Sequence, residues 1–299
     1  MDRIEEMKAF VAVAEESGFA AAAHRLGLSP PTVTRSVAAL EARLGAMLFK
    51  RTTRALSLTE AGSLFLTDVK RILQELEDAQ ESAAGASASA RGELSITAPV
   101  LFGQIHVMPF LLDYLDAQPN VRAHALFVDR VVNILEENID VGIRIGHLGE
   151  SSMKAVKVGQ VRRIIVASPN YTARAGLPMH PRELVHHRVV MPISAFTSPE
   201  WKFLSESAEF HVRLSPALRV STNRAAITAA TRGWGITRVL SYQVLDELAA
   251  AQLQILLEDF ELPALPIHVV YHHSRYRSAK VKAFVDSAVE HLRAVTSLS

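Results

Sequence analysis

Apolar positions in the first 58 residues recur at helical spacing, in short runs separated by glycine. Ile4, Met7, Phe10, Val11 and Ala14 repeat every three or four residues, and Ser17-Gly18 ends that run. Phe19–Leu26 carries the alanines Ala20–Ala23, small enough for close helix approach. Gly27 follows, where a left-handed cap is needed. The third run, LSPPTVTRSVAALEARLG over 28–45, predicts Ser29 as N-cap and Pro30 at the first helical position, where no donor is missed. Val33, Val37, Leu40 and Leu44 form its buried stripe, and Gly45 is its stop. Helix, tight glycine turn, helix is the helix-turn-helix plan, and the basic hairpin-like stretch 46–58 reads as a wing.

A longer helix is expected from Thr59 to Ala84. Phe65, Val69, Ile72, Leu76, Ala79 and Ala83 step by alternating fours and threes, a heptad seam that predicts pairing with a second helix; packing on its own domain is the alternative. Residues 85–92, GASASARG, read as a hinge. From Glu93 strand-like runs (ELSITA, AHALFV, DVGIRI, RRIIVAS, PIHVVY) alternate with helical patterns at Gln104–Ala117, Val132–Asn138, Arg224–Arg232 and Lys280–Ala294. That alternation predicts an α/β domain with a mainly parallel sheet.

Composition narrows the function by exclusion. The 299 residues hold 32 Lys plus Arg against 31 Asp plus Glu, so only local clustering can indicate a nucleic-acid partner. With no cysteine, disulfides, thiolate catalysis and thiolate zinc sites are absent. The start, MDRIEEMKAF, is acidic and amphipathic rather than signal-like, and no apolar run nears the roughly 18 residues of a membrane span, so a cytoplasmic protein is expected. No nucleophile elbow, Walker loop or dinucleotide fingerprint is present, so no enzyme and no cofactor is expected. His186-His187 and His272-His273 make no chelate by themselves, because adjacent strand residues point to opposite faces; no metal is expected.

Charge does cluster at the third helix and its flanks. Arg25, Arg35, Arg43, Lys50, Arg51 and Arg54 stand there against the single acid Glu41, the footprint expected for phosphate contact. The N-terminal turn of such a helix enters the major groove, where Thr32 and Thr34 can bond bases or phosphates and Arg35 can reach guanine. A solvated basic face is the plainer reading. In the second half, the amides after Pro99 and those at STNRAAI (221–227) lie at strand-to-helix junctions, and such helix ends attract anions. Arg144 ends a strand, where ligands of open sheets bind, or else braces the fold; Phe196 and Trp201 either wall a ligand or belong to the core. Together these favour a small anionic ligand, most simply a carboxylate.

The stretch from Ile4 to Gly62 resembles the winged helix-turn-helix of LysR-type transcriptional regulators. ITAPVLFG, IDVGIRIG, IVASPNYTARAGLP and WGITRVLSYQV resemble that family's inducer-binding domain, closest to the branch reading "RIG" and "RVLSYQV". The resemblance implies a winged helix-turn-helix domain over 1–58, a linker and dimerisation helix over 59–84, the hinge, and an effector domain over 93–299 like periplasmic binding proteins. That domain would divide into subdomain I (93–162 and 268–299) and subdomain II (163–267). It implies a homodimer or homotetramer that binds double-stranded DNA under control of a small-molecule effector, with RNA polymerase a further partner. The DNA-contacting set is then Ser29, Pro30, Pro31, Thr32, Thr34, Arg35, Arg51, Thr53 and Arg54. The effector set is Thr97, Pro99, Val100, Leu101, Arg144, Ser194, Phe196 and Asn223. Pro30 departs from the family, which more often has a polar residue there. An enzyme with a helical appendage, a solute-binding module and a ligand-independent architectural DNA binder are the rival classes.

Overall fold

Serine and glycine set the helix boundaries at the N-terminus. Here α1 (Arg3–Glu16), α2 (Phe19–Leu26) and α3 (Pro30–Leu44) follow one another. In this computed structural model Gly27 is left-handed at φ 64° and closes α2, with its own amide on the His24 carbonyl and the Leu28 amide on the Ala23 carbonyl. Ser29 is extended, and its hydroxyl accepts from the Thr32 amide at the start of α3. The described residues are 2–51, 56–83, 89–149, 152–193, 198–206 and 208–298, with Arg51 and residues 74, 75, 77, 78 and 81–83 described by backbone alone. The expected contacts Thr53 and Arg54, the expected cleft residues Ser194 and Phe196, and most of the expected hinge therefore lie outside the described residues. Contacts divide the chain into one unit within residues 1–88 and another within residues 89–276 and 280–299.

The first unit is completed by the antiparallel strands β1 (Phe49–Arg51) and β2 (Leu56–Leu58) and by α4 (Glu60–Ala83). Its core holds Phe10, Val33, Val37, Leu40, Leu48 and Phe49, with the Phe10 ring 5.4 Å from Phe49 and 5.6 Å from Phe65. Leu44 does not join the stripe: at the last turn of α3 it is 43% exposed. The seam expected along α4 also divides. Phe65, Leu66, Val69 and Leu73 pack on this unit's core, whereas Ile72 is 41% exposed and Ala79 is exposed. Gly62 has no room for a side chain, since a Cβ there would lie 2.0 Å from the Leu48 carbonyl oxygen. Glu41, the one acid in the basic stretch, is buried and accepts the Leu48 amide at 2.8 Å and the Phe49 amide at 3.2 Å.

The second unit begins with β3 (Gly92–Ala98), then α5 (Val100–Phe102), a π-turn at Gly103–Val107 and α6 (Met108–Ala117), followed by β4 (Val121–Phe127), β5 (Val141–Ile145) and β6 (Met153–Val161). Helical backbone thus starts at Val100 rather than Gln104. At Gly103 a Cβ would meet the Phe127 ring at 2.4 Å, so the close approach requires glycine. The expected helix over Val132–Asn138 is a series of turns: the Asn133 side chain accepts the Leu135 and Glu136 amides, and Asn138 is left-handed at φ 53°.

A second set of elements runs β7 (Arg163–Ala167), α7 (Pro169–Ala175), β8 (Val190–Pro192), β9 (Glu200–Ser205), β10 (Ala208–Arg213), β11 (Leu218–Val220), α8 (Asn223–Thr231), β12 (Thr237–Leu240), α9 (Leu245–Ala249) and β13 (Gln254–Leu256). The chain then returns through β14 (Leu265–His272) and α10 (Ala279–Ala294). The five-stranded sheet has the order β4-β3-β5-β14-β6. Only the β3 pairings are parallel, because β14 returns antiparallel to β5 and β6; the expectation of a mainly parallel sheet is corrected to a mixed one. The second sheet, β12-β7-β13, is antiparallel throughout. Between the sheets the chain crosses at Arg162 and again over 257–264, so Leu265–Ile267 already pair with β6, ahead of the expected boundary at 268. Ile164 and Val166 of β7 face the large core shared with the first sheet, and Ile165 and Ala167 face a separate core under the β9–β10 hairpin. That second core contains Trp201, 1% exposed, which is thereby removed from any ligand wall.

Glu41→Ala leaves two buried amides without their acceptor, so it should destabilise the first unit by about 1–3 kcal/mol, read as a lowered urea midpoint with an unchanged slope.

Candidate nucleic-acid interface and effector cleft

Helix α3 presents a low outer face. Pro31, Arg35, Ala38 and Ala42 are exposed at helical spacing, opposite the buried Val33, Val37 and Leu40. Ser29 and Pro30 are exposed ahead of them, and Thr32 and Thr34 are half-buried at the rim. The hydroxyls there are partly engaged: Ser29 and Thr32 share a hydrogen bond of 2.8 Å, and Thr34 donates to the Pro30 carbonyl at 2.9 Å. Each oxygen keeps a lone pair for an incoming donor. The alanines allow the helix backbone to approach a surface closely while Arg35 projects beyond them.

Folding removes part of the charge counted in the sequence. Arg25 lies 2.7 Å from Glu15 and 3.2 Å from Glu16, and Arg43 pairs with the buried Glu6. Lys70 of α4 reaches the same Glu15 at 2.6 Å. Burial works against the ionised form of Glu15, but the hydrogen bonds and charges of Lys70 and Arg25 outweigh it and hold its pKa below the ordinary value. Arg25 and Arg43 are therefore braces among α1, α2 and α3. Among the described residues, Arg35 and Lys50 are exposed basic side chains of the expected interface. Their spacing in the sequence gave no sign of this division, because the neutralising acids come from α1.

In the second unit the start of α5 already holds a carboxylate. The Val100 amide donates to Asp129 Oδ1 at 3.0 Å, and Asn223 Nδ2 at the start of α8 lies 3.4 Å from Asp129 Oδ2. Asp129 thus joins the two helix ends that the sequence marked as anion-seeking, one from each half of the unit. It was missed in the sequence; the available signal was an acid just past a strand end, in LFVDR. Pro99 and Val100 are half-buried at this junction. Thr97 and Leu101 are buried, with the Thr97 hydroxyl donating to the Leu126 carbonyl at 2.8 Å. Arg144 donates to the Val132 carbonyl at 2.8 Å. Burial lowers its pKa, with the Glu137 charge acting in opposition, and its guanidinium braces the 132–138 turns.

The histidine pairs are engaged separately. His187 Nδ1 lies 3.3 Å from the Tyr171 hydroxyl, and His272 Nδ1 lies 2.7 Å from the Ser274 hydroxyl. Among the described residues no three His, Cys, Asp or Glu side chains assemble into a metal site, and no helix is long and apolar enough to cross a membrane.

Comparison with known proteins places both units. Residues 4–63 match the bacterial regulatory helix-turn-helix domain of the lysR family, and residues 87–293 match the LysR substrate binding domain. An HTH-type transcriptional repressor of Pseudomonas aeruginosa is 32% identical over 97% of this chain and 92% of its own length. The HTH-type transcriptional regulator PtxR of the same species is 32% identical over 97% and 93%. Among solved structures, CrgA, a LysR-type transcriptional regulator from Neisseria meningitidis, superposes with a TM-score of 0.62 at 28% identity, covering 96% of this chain and 98% of that one. The full-length virulence activator AphB of Vibrio cholerae gives 0.64 at 25% identity, covering 97% and 100%. Both domains match in order and nearly the whole chain is covered, so the protein belongs to the LysR family of DNA-binding transcriptional regulators, with an effector-binding domain and without an enzymatic role.

Proposed function

We propose that α3 reads the major groove through its outer face and that a small carboxylate effector governs this reading from the cleft at Asp129. In this arrangement Pro31 and the alanines set the depth of approach, Thr32 and Thr34 touch bases or phosphates, and Arg35 reads a base edge. Lys50, with Arg51, Thr53 and Arg54 of the wing, holds flanking phosphates, and Ser29 and Pro30 border the contact. The protein acts as a homodimer or homotetramer in the cytoplasm, so that paired α3 helices enter successive major grooves, and it acts on transcription with RNA polymerase as a further contact.

The observation that carries the effector reading is that a carboxylate, Asp129's own, sits at the Val100 amide and beside Asn223. An effector carboxylate at this junction would take the amide in its place and leave Asn223 free to turn to the ligand. The half-buried Pro99 and Val100 then line it, and Ser194 and Phe196 are further contacts in this reading. Exchange of one carboxylate for the other alters the only described bonds of Asp129, which span both halves of the unit. A ligand that binds one arrangement better than the other shifts the population between them, and with it the DNA-bound state.

Arg35→Ala should weaken binding to the cognate operator by about 1–3 kcal/mol and relax the sequence preference at one base pair, measured by competition binding across operator variants. An equal loss on every sequence would make Arg35 a phosphate contact instead. In a thermal-shift panel, small mono- and dicarboxylates should raise the unfolding midpoint of the full-length protein and their matched amides should not. Asp129→Ala should tighten binding of the active carboxylate roughly tenfold, the effect of losing a competing charge-assisted bond of about 1.5 kcal/mol. Amides that bind as well as the acids would sink the reading.

A further inference from the structure

The C-terminal ends of α7 and α8 and the segment before β8 enclose an open pocket in the second unit. It holds about 720 Å³, the size of a small-molecule site. Arg174 in the last turn of α7, Arg188 ahead of β8 and Arg232 just past α8 all line it, and all three are exposed. The half-buried Trp234 and Leu218 supply an apolar wall. No carboxylate is among the lining residues, and among the described residues none of the three guanidiniums lies within 4 Å of one.

The walls are fixed by bonds that leave the positive charge in place. The Tyr171 hydroxyl accepts the Arg188 amide at 2.9 Å, and the Ile236 amide donates to the Arg188 carbonyl at 2.8 Å. A Cβ at Gly235 would lie 2.5 Å from that carbonyl oxygen, so the approach that brings Trp234 to Arg188 requires glycine. The Arg188 guanidinium carbon stands 5.5 Å from the centroid of the Trp234 ring. Arg174 donates to the Gly233 carbonyl at 2.8 Å, and its guanidinium has further N–H donors to offer. The two helix ends are negative poles worth roughly half a charge each, so together they offset about one of the three positive charges. About two remain.

We propose that this pocket is a second ligand site, one that takes the phosphate monoester of a small molecule with a flat, apolar body. Such an ester carries about −1.5 to −2 charges at neutral pH, which matches the charge left over. Guanidinium forks pair with its oxygens two at a time, and the flat body lies against Trp234 and Leu218. A single carboxylate would leave part of the charge unmatched. None of the lining residues is among those proposed for the effector, yet α8 connects the two places. Asn223 opens that helix beside Asp129, and Arg232 follows its last residue, roughly 14 Å further along the axis. A phosphate held at Arg232 thus bears on the far end of the helix that meets Asp129.

The test follows tryptophan fluorescence in the full-length protein at constant ionic strength. The chain has two tryptophans, and Trp201 is only 1% exposed, so a ligand in this pocket is reported by Trp234. Adenosine monophosphate should quench the emission saturably, with a midpoint below about 1 mM. Adenosine and inorganic phosphate, each lacking one half of the contact, should bind about tenfold more weakly or worse. Arg188→Gln and, independently, Arg232→Gln should each raise the midpoint about tenfold; both side chains are exposed, and circular dichroism checks that the variants fold. No saturable quench, equal binding of adenosine, or an unchanged midpoint in both folded variants would overturn the proposal. So would tighter binding of an oligoglutamate peptide, which would make the pocket a dock for acidic protein segments.

Discussion

Glu41 sits almost out of water and accepts the amides of both Leu48 and Phe49, the residues that lead into the wing. Without that carboxylate two backbone donors would be buried unmet, and the chain leaving α3 would have no fixed path. The same solution recurs in the second unit. Asp140 accepts the Ser95 amide at 2.9 Å on β3, and Asp129 accepts Val100 where β3 gives way to α5. In each case an acid from elsewhere in the chain fixes a backbone amide. The start of β1 and the junction of β3 with α5 both depend on this pairing of carboxylate with amide.

Electrostatics then separates cations paired within the fold from those left exposed. A count along the chain cannot tell Arg25 and Arg43 from Arg35, since all three lie on or beside the helix-turn-helix. Position decides it: Glu15, Glu16 and Glu6 line the faces of α1 that meet Arg25 and Arg43, while Arg35 points away from them. The interface that remains is sparser and more directional than the raw charge suggests.

The first unit was the more legible part. Gly27, Ser29, Gly45 and the 3.6-residue repeats act locally, so the three helices could be bounded from sequence alone. Leu44 fits the repeat yet lies exposed, because it falls where the helix runs out of neighbours. The second unit resisted where distant segments decide. The direction of the first sheet depends on β14, which arrives more than a hundred residues after β5. Val132–Asn138 carried a helical pattern, yet Asn133 turned its side chain onto the following amides, a competition that periodicity does not register. The role of Asp129 is not readable locally, because its partners, Val100 and Asn223, lie 29 and 94 residues away.

The paired prolines at the head of α3 have a consequence for the kind of contact this helix can make. Helix N-termini commonly grip phosphate through free amides. Here Pro30 and Pro31 have no amide hydrogen, and the amides of Thr32 and Val33 both turn back to the Ser29 carbonyl, at 2.9 and 3.2 Å. The tip of α3 therefore offers no free backbone donor, and a phosphate beside it can be met there only by side chains. Ion contacts from side chains, unlike those from backbone amides, weaken as salt displaces them.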